Sequence, residues 1–192
     1  RIGGLTFTGG VFTNITHDHL DYHKTFDNYL KAKKRFFDLL PSTAFALTNR
    51  DDKNGLVLLQ NTKASKYSYS LKTTSDFKGK IIESDLTGLL MDIDGTQAWY
   101  GLSGDFNAYN LLAVYGTAFI LGEPKEKIIK ALTNTRGAKG RFEIVRSEEG
   151  VIGIIDYAHT PDAIKNVLET INKVRTRNEV LITVIGCGGD RD

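Results

Sequence analysis

The sequence has a single cysteine, Cys187, among its 192 residues. One thiol excludes a disulfide framework within the chain and fits a reducing cytoplasm. No run reaches the roughly 18 apolar residues that a membrane span needs, since Tyr115, Gly116 and Thr117 interrupt the longest one, residues 111–121. The net charge is only +2, with both signs interspersed. This balance gives no reason to expect a nucleic-acid partner or an anionic membrane surface.

The sequence also lacks an initiator methionine, a signal-peptide pattern, an internal repeat and a low-complexity tract. It starts with RIGGLTFTGG and stops within VIGCGGDRD, a glycine-rich segment typical of a functional loop. We therefore expect the chain to be one part of a larger protein.

Strand-like and helix-like segments alternate along the chain, which predicts an α/β fold with a parallel sheet. Short β-like runs between residues 56 and 102 predict a small antiparallel patch. The glycine-rich basic segment 136–141 is interpreted as a linker that separates two domains, residues 1–140 and 141–192. The second domain is predicted to start a β-α-β unit with parallel strands. Helices are predicted over residues 26–40, 106–121, 124–134 and 160–174, and further strands over 11–15, 44–49 and 179–186. Residues 143–158 are predicted to form a hairpin or two strands.

The segment THDHLDYH concentrates imidazoles and carboxylates, which are candidate metal ligands. Its H-x-H-x-D spacing resembles a zinc-hydrolase motif, but Tyr22 stands where the next histidine belongs and His23 comes one place late. The offset matters for tetrahedral zinc. The alternative is a polar loop whose histidines satisfy backbone groups. The candidate ligands are His17, Asp18, His19, Asp21 and His23.

The predicted helix after this segment carries an apolar stripe formed by Phe26, Leu30, Phe37 and Leu40. Lys33 falls within the stripe, so we expect it to point inward, unlike the other basic residues of the helix. A desolvated lysine favours the neutral amine, which can react with carbon dioxide to give a carbamate, a carboxylate-like metal ligand. The alternative is a lysine whose stem covers apolar surface while its charge stays in water.

The segment GDFNAYN places Asn107 and Asn110 three residues apart at the start of a helix. They share one face beside the unpaired N–H groups of the first turn. This arrangement suits the polar groups of a nucleotide. Helix capping by Asp105 or Asn107 is the structural alternative.

Two loops follow predicted strands of the second domain. DYAHTPDA carries Asp156, Tyr157 and His159 ahead of a helix that Thr160 can cap, and GCGGDRD ends the chain. In a parallel sheet both loops emerge at the carboxyl edge, where ligands of open α/β sheets bind. The glycines would let backbone N–H groups approach an anion, although ordinary turn chemistry also explains both loops.

The order of these segments is more specific than any one of them. TNITHDHLDYH, the Y-x-x-A-K run ending at Lys33, GDFNAYN, GRFE, DYAHTPDA and GCGGDRD together resemble the Mur ligase family, most closely its MurE type. The resemblance covers essentially the whole chain. It implies a central ATPase domain followed by the start of a Rossmann-like C-terminal domain. It also implies ATP-dependent amide-bond formation on UDP-muramoyl-dipeptide in cytoplasmic peptidoglycan synthesis.

The resemblance also implies roles for particular residues. His19 would bind magnesium, and Lys33, as a carbamate, would support the second of two Mg²⁺ ions. The nucleotide would be contacted by Asn107, Asn110, Arg141, Asp156, Tyr157 and His159, and the dipeptide and incoming amino acid by Arg1 and Arg191 respectively.

The family's P-loop, GTNGKT, is absent from this sequence, so we expect catalysis only from the full-length enzyme. We expect that enzyme to be a monomer. The sequence also stops before the motif that separates diaminopimelate-adding from lysine-adding enzymes. Two alternatives stay open at this point: a folylpolyglutamate synthase-like ligase, and a metal- or nucleotide-binding module without catalysis.

Overall fold

A computed structural model describes residues 4–15, 24–176 and 178–186. Its strands are β1 Gly9–Phe12, β2 Phe45–Asn49, β3 Ser65–Ser70, β4 Phe77–Asp85, β5 Gly88–Ile93, β6 Thr96–Tyr100, β7 Glu143–Arg146 and β8 Ile152–Ile155. Its helices are α1 Phe26–Asp38, α2 Gly55–Leu58, α3 Asp105–Ile120, α4 Lys125–Thr133 and α5 Pro161–Val174.

The strands β1 to β6 form one sheet in the order in which they occur along the chain. Strands β1 to β4 pair in parallel, and β4 to β6 pair antiparallel. β4 carries the change of direction, because Phe77 and Lys78 pair with β3 whereas residues 79–85 pair with β5. The prediction of a parallel sheet with a small antiparallel patch is confirmed.

One strand of the predicted antiparallel patch belongs elsewhere. β3, the KYSYS run, pairs in parallel with β2 over its whole length up to Tyr69. Its last residues are buried, as expected for a parallel strand that is covered on both faces. The β-like run predicted a strand here but carried no information about its direction.

Helices cover both faces of the parallel strands. On one face α3 packs Leu111, Leu112 and Tyr115 with Leu47 and Tyr69 of the sheet. On the other face α1 and α2 pack against alternate sheet residues; this second cluster includes Phe12, Phe37, Ala46 and Leu58. Every residue of β2 is buried as a result. Phe45 and Leu47 pack on one face and Ala46 on the other, and the buried side chains of Thr48 and Asn49 are hydrogen-bonded.

The helix ends follow their local capping chemistry. The hydroxyl of Thr25 accepts a hydrogen bond from the Asn28 N–H, and Thr160 caps α5 in the same way ahead of Pro161. Pro124 was predicted at the first helical position, but it is the extended residue before α4. Its φ of −62° fits either place, so the proline alone could not fix the boundary.

No helix in the described part of the chain is long and apolar enough to cross a membrane.

The predicted β-α-β unit is only partly formed. β7 and β8 make an antiparallel hairpin and α5 follows it. Residues 179–186, predicted as a parallel strand, have no strand pairing in the structure. The side chains of Val180, Ile182 and Val184 are 87%, 80% and 91% exposed, so no burial offsets the entropy of ordering that segment.

We predict that Gly55→Ala destabilises the fold. A β-carbon there would lie 2.1 Å from the backbone oxygen of Asn49, so the backbone must shift at a cost of about 2 kcal/mol. Denaturant unfolding of the full-length protein measures this loss. Gly153→Ala is the control, because its β-carbon would meet nothing closer than 3.8 Å. Equal stability of the two variants would contradict the prediction.

Candidate functional site

A cleft of about 330 Å³ opens between the carboxyl end of β1 and helix α1. The backbone after β1 is held in place from neighbouring strands. The Tyr69 hydroxyl donates to the Phe12 oxygen at 3.2 Å, and the Asn49 amide donates to the Thr13 oxygen at 2.9 Å. The cleft is lined by Val11, Phe12, Thr13, Asn14, Tyr29, Ala32, Lys33, Phe36 and Phe37.

Lys33 lines this cleft but is exposed. Its ammonium nitrogen lies 5.4 Å from the centre of the Tyr29 ring, within cation–π range. The prediction that Lys33 is desolvated among the apolar residues is therefore wrong. Lys34 is the better shielded lysine, with a side chain 15% exposed and an ion pair to Asp38 at 2.6 Å. The apolar stripe is buried only near Phe37, and towards its start it faces the open cleft, so a position within the stripe does not bury Lys33.

Several predicted site residues lie outside the described residues. They include the proposed magnesium ligand His19 and its neighbours His17 and His23. Arg1 and Arg191 are also outside. Among the residues that the structure does describe, no three His, Cys, Asp or Glu side chains are grouped to hold a metal ion.

Asn107 and Asn110 lie in the first turns of α3, as predicted. The Asn107 side-chain amide donates to the Ser103 backbone oxygen at 2.8 Å, and its oxygen accepts from the Asn110 amide at 3.2 Å. This short chain of hydrogen bonds orients both amides on one face of the helix. Asn110 is exposed, so its side-chain oxygen remains available to a ligand.

The structure brings together Arg141 and the residues of the DYAHTPDA loop. The Arg141 guanidinium lies 5.2 Å from the Tyr157 ring centre, and the Tyr157 and His159 rings are 5.3 Å apart. The Asp156 carboxylate accepts from the Phe142 and Ala158 N–H groups, both at 2.7 Å. The planar groups form a surface of the kind on which a nucleobase or phosphate-bearing ligand can stack or pair.

This C-terminal cluster is attached to the amino-terminal end of α3. The Phe106 and Phe142 rings meet edge to face at 5.8 Å, and Lys173 of α5 forms an ion pair with Asp105 at 2.6 Å. Phe106 immediately precedes Asn107, and Phe142 immediately follows Arg141. The contact between the Phe106 and Phe142 rings therefore lies between the two predicted nucleotide-contacting groups, the asparagines of α3 and the cluster around Arg141.

The turn after β2 contains a polar centre that was not predicted from the sequence. The Asp51 carboxylate accepts hydrogen bonds from the Ser70 hydroxyl at 2.6 Å and the Tyr109 hydroxyl at 3.0 Å. It also accepts from the backbone N–H groups of Leu71 and Lys72. NRDDKNG has the composition of an ordinary polar turn, and its one distinguishing signal was position, directly after a buried strand.

The hydrogen bonds change the acid–base chemistry of this centre. Burial alone would raise the pKa of Asp51, but the donors from Ser70, Leu71, Tyr109 and Lys72 outweigh it and hold the pKa below the ordinary value. Burial, followed by the bond to Asp51, raises the pKa of the Tyr109 hydroxyl far above its usual range. The pair is therefore an ionised carboxylate facing a neutral phenol.

Comparisons with known proteins agree with this architecture. The protein-family model of the Mur ligase middle domain matches residues 1–118 of the sequence. The family model of the Mur ligase glutamate ligase domain matches residues 140–192. The chain belongs to the Mur ligase family.

Curated relatives are named UDP-N-acetylmuramoyl-L-alanyl-D-glutamate–2,6-diaminopimelate ligase. The relative from Cytophaga hutchinsonii is 60% identical and that from Phocaeicola vulgatus 58% identical, in each case over the whole of this chain. A solved structure described by the same enzyme name has a TM-score of 0.75 at 30% identity, and covers 98% of this chain. The chain spans only 39% and 40% of the two relatives and 40% of the solved chain.

We predict that Asp51→Asn flattens the acid side of the stability profile. Because the folded-state pKa of Asp51 is lowered from 3.8, its charge stabilises the fold above that pH. This contribution is lost as the pH falls through the folded pKa. The difference in unfolding free energy between wild type and variant should shrink as the pH falls from about 5 through 3.8 to the lower folded-state pKa. Urea unfolding measures it, and a constant or growing difference would contradict the prediction.

Proposed function

We propose that the full-length protein is an ATP-dependent ligase that joins diaminopimelate to UDP-N-acetylmuramoyl-L-alanyl-D-glutamate in peptidoglycan synthesis. The observation that carries this proposal is 60% identity, along the whole chain, to an enzyme named for that reaction. The fold supports it, because Asn107 and Asn110 lie at the start of α3, and α3 packs on the same sheet whose strand β1 borders the Lys33 cleft. We further propose that the enzyme acts as a monomer in the cytoplasm.

The proposed reaction has two steps. ATP first transfers its terminal phosphoryl group to the substrate carboxylate, which gives an acyl phosphate and ADP. The amino group of the incoming amino acid then attacks the acyl carbon, the C–N bond forms, and phosphate leaves as the amine loses a proton. Such a reaction depends mainly on positioning and charge neutralisation, so the residues of this chain hold the reactants.

We propose that two groups of residues bind the nucleotide. Asn107 and Asn110 present amide donors and acceptors that suit the polar edge of a base. Arg141 and Tyr157 add a cation and an aromatic face on the C-terminal side, and Asp156 fixes their loop through the Phe142 N–H. We place the domain boundary near residue 140, and the start of the second family match at that residue supports it.

Magnesium ions, when bound, would neutralise the phosphate charges. Among the described residues that line the cleft, oxygen donors come from Thr13, Asn14 and Tyr29, and none is a carboxylate. A carbamate on Lys33 would supply the missing anionic oxygens. Its formation joins the neutral lysine amine to carbon dioxide with loss of one proton, and the exposed position of Lys33 makes the amine reachable. We propose that Lys33 carries this modification and that His19 is the second protein ligand.

We predict that ADP release by the full-length protein requires both substrates. ATP, Mg²⁺ and UDP-muramoyl-dipeptide should give steady turnover only when an amino acid acceptor is added, and diaminopimelate should outperform lysine. A coupled ADP assay with each component omitted in turn measures this. Phosphate release that ignores the dipeptide and every amino acid would overturn the ligase proposal. Stoichiometric bound zinc would favour the hydrolase alternative.

We predict that Lys33→Ala reduces turnover at least about a hundredfold, the scale of a lost charge-stabilising group. Added bicarbonate should not restore activity, because no amine remains to be modified, whereas small carboxylates should restore part of it. Lys31→Ala is the control, since Lys31 lies on the same helix in an exposed ion pair with Asp27. The steady-state rate measures both variants. Near wild-type turnover in Lys33→Ala would exclude the carbamate.

A further inference from the structure

We propose that the hydrogen bond between Tyr109 and Asp51 positions the start of α3, and so sets the affinity of the protein for ATP. Tyr109 lies between Asn107 and Asn110 in the same stretch of helix. The inference rests on the proposed function, because it assigns a positioning role at the proposed nucleotide site. Neither residue is assigned a contact with the nucleotide itself.

The Asp51 carboxylate is a fixed point in the fold. Its two oxygens accept from the Ser70 and Thr73 hydroxyls and from the Leu71 N–H, at 2.6, 3.2 and 2.8 Å. These donors all belong to the end of β3 and the turn that follows it. With so many donors from one rigid segment, the carboxylate cannot rotate without breaking several bonds. Tyr109 is therefore bound to an acceptor that does not move with it.

The start of α3 has no side-chain cap. Its N-cap is Gly104, with φ of 93° and no side chain to accept from the first turn. The glycine is required there, because a β-carbon would lie 2.7 Å from the Phe106 ring. A helix without a side-chain cap takes its exact placement from tertiary contacts. The Tyr109 hydroxyl, 3.0 Å from the Asp51 carboxylate, is such a contact within the first two turns.

The turn after β2 is also connected by hydrogen bonds to the wall of the neighbouring cleft. The Asp51 N–H donates to the Asn49 side-chain oxygen at 3.0 Å, and the Asn49 amide donates to the Thr13 oxygen at 2.9 Å. Thr13 lines the cleft that contains Lys33. One chain of hydrogen bonds thus connects the helix of the asparagines to the wall of the Lys33 cleft. The bond from Tyr109 is the link of this chain that reaches α3.

Tyr109→Phe in the full-length protein tests the proposal. The variant keeps the ring and removes only the donor. We expect the KM for ATP, and the dissociation constant for Mg-ATP from calorimetry, to rise about tenfold, the scale of one hydrogen bond to a charged group. The kcat and the KM for UDP-muramoyl-dipeptide should stay within about twofold, because the variant removes only the bond to α3 and leaves the bonds from Asp51 and Asn49 towards the Lys33 cleft in place.

Tyr115→Phe is the matched control. Tyr115 is buried on the same helix, beyond the two asparagines, and its hydroxyl faces a different carboxylate, Asp94. We expect this variant to lose thermal stability to a similar degree while its KM for ATP stays within about twofold of wild type. A purely structural role for Tyr109 would make the two variants alike. Asp51→Asn, measured where it remains folded, should raise the KM for ATP in the same direction as Tyr109→Phe.

Three outcomes would overturn the proposal. The first is an unchanged KM for ATP in both Tyr109→Phe and Asp51→Asn. The second is an equal rise in Tyr115→Phe. The third is an equal rise in the KM for dipeptide. Calorimetry on the wild type separates these from failure of the proposed function, since a wild-type protein that does not bind Mg-ATP would overturn the ligase proposal together with this inference.

Discussion

The carboxylate of Asp51 joins three parts of the fold that are far apart in sequence. It follows β2, accepts from the turn after β3, and accepts from α3 through Tyr109. Its own backbone leads through Asn49 to the loop after β1. One ionised group and its donors therefore help to hold together the carboxyl edge of the parallel sheet, where ligands of such sheets bind. Leaving those donors buried without an acceptor would cost far more than the net value of any single bond.

Features governed by neighbouring residues could be predicted from the sequence. Thr160 capped its helix as expected, and the strand predicted over residues 44–49 is β2. Asn107 and Asn110 shared a face because helix geometry fixes that relation. Whether two strands pair in parallel or antiparallel could not be predicted in the same way. The residue pattern of β3 suits both directions, and its direction is set by pairing with β2.

The site was harder to predict for a different physical reason. Periodicity placed Lys33 within the apolar stripe of α1 but could not show how far neighbouring segments cover that stripe. The prediction that Lys33 is buried was therefore wrong. Asp51 looked like a turn residue because its importance comes from donors at positions 70 to 109. Residues 179–186 have a strand-like composition, yet a strand needs a partner as well as a pattern. The family resemblance, carried by motif order, was more informative about function than any single residue.

The order of strands in the six-stranded sheet has a consequence for assembly. Each strand from β1 to β6 lies beside the one that precedes it in the chain, so none has to enter between two strands already paired. The sheet can grow at a single edge, in the order in which a ribosome delivers the strands. The slow steps are then the parallel closures across α1, α2 and the turn after β3, because their loops are longest. The β4–β6 meander, made of local hairpins, can form on a much faster timescale.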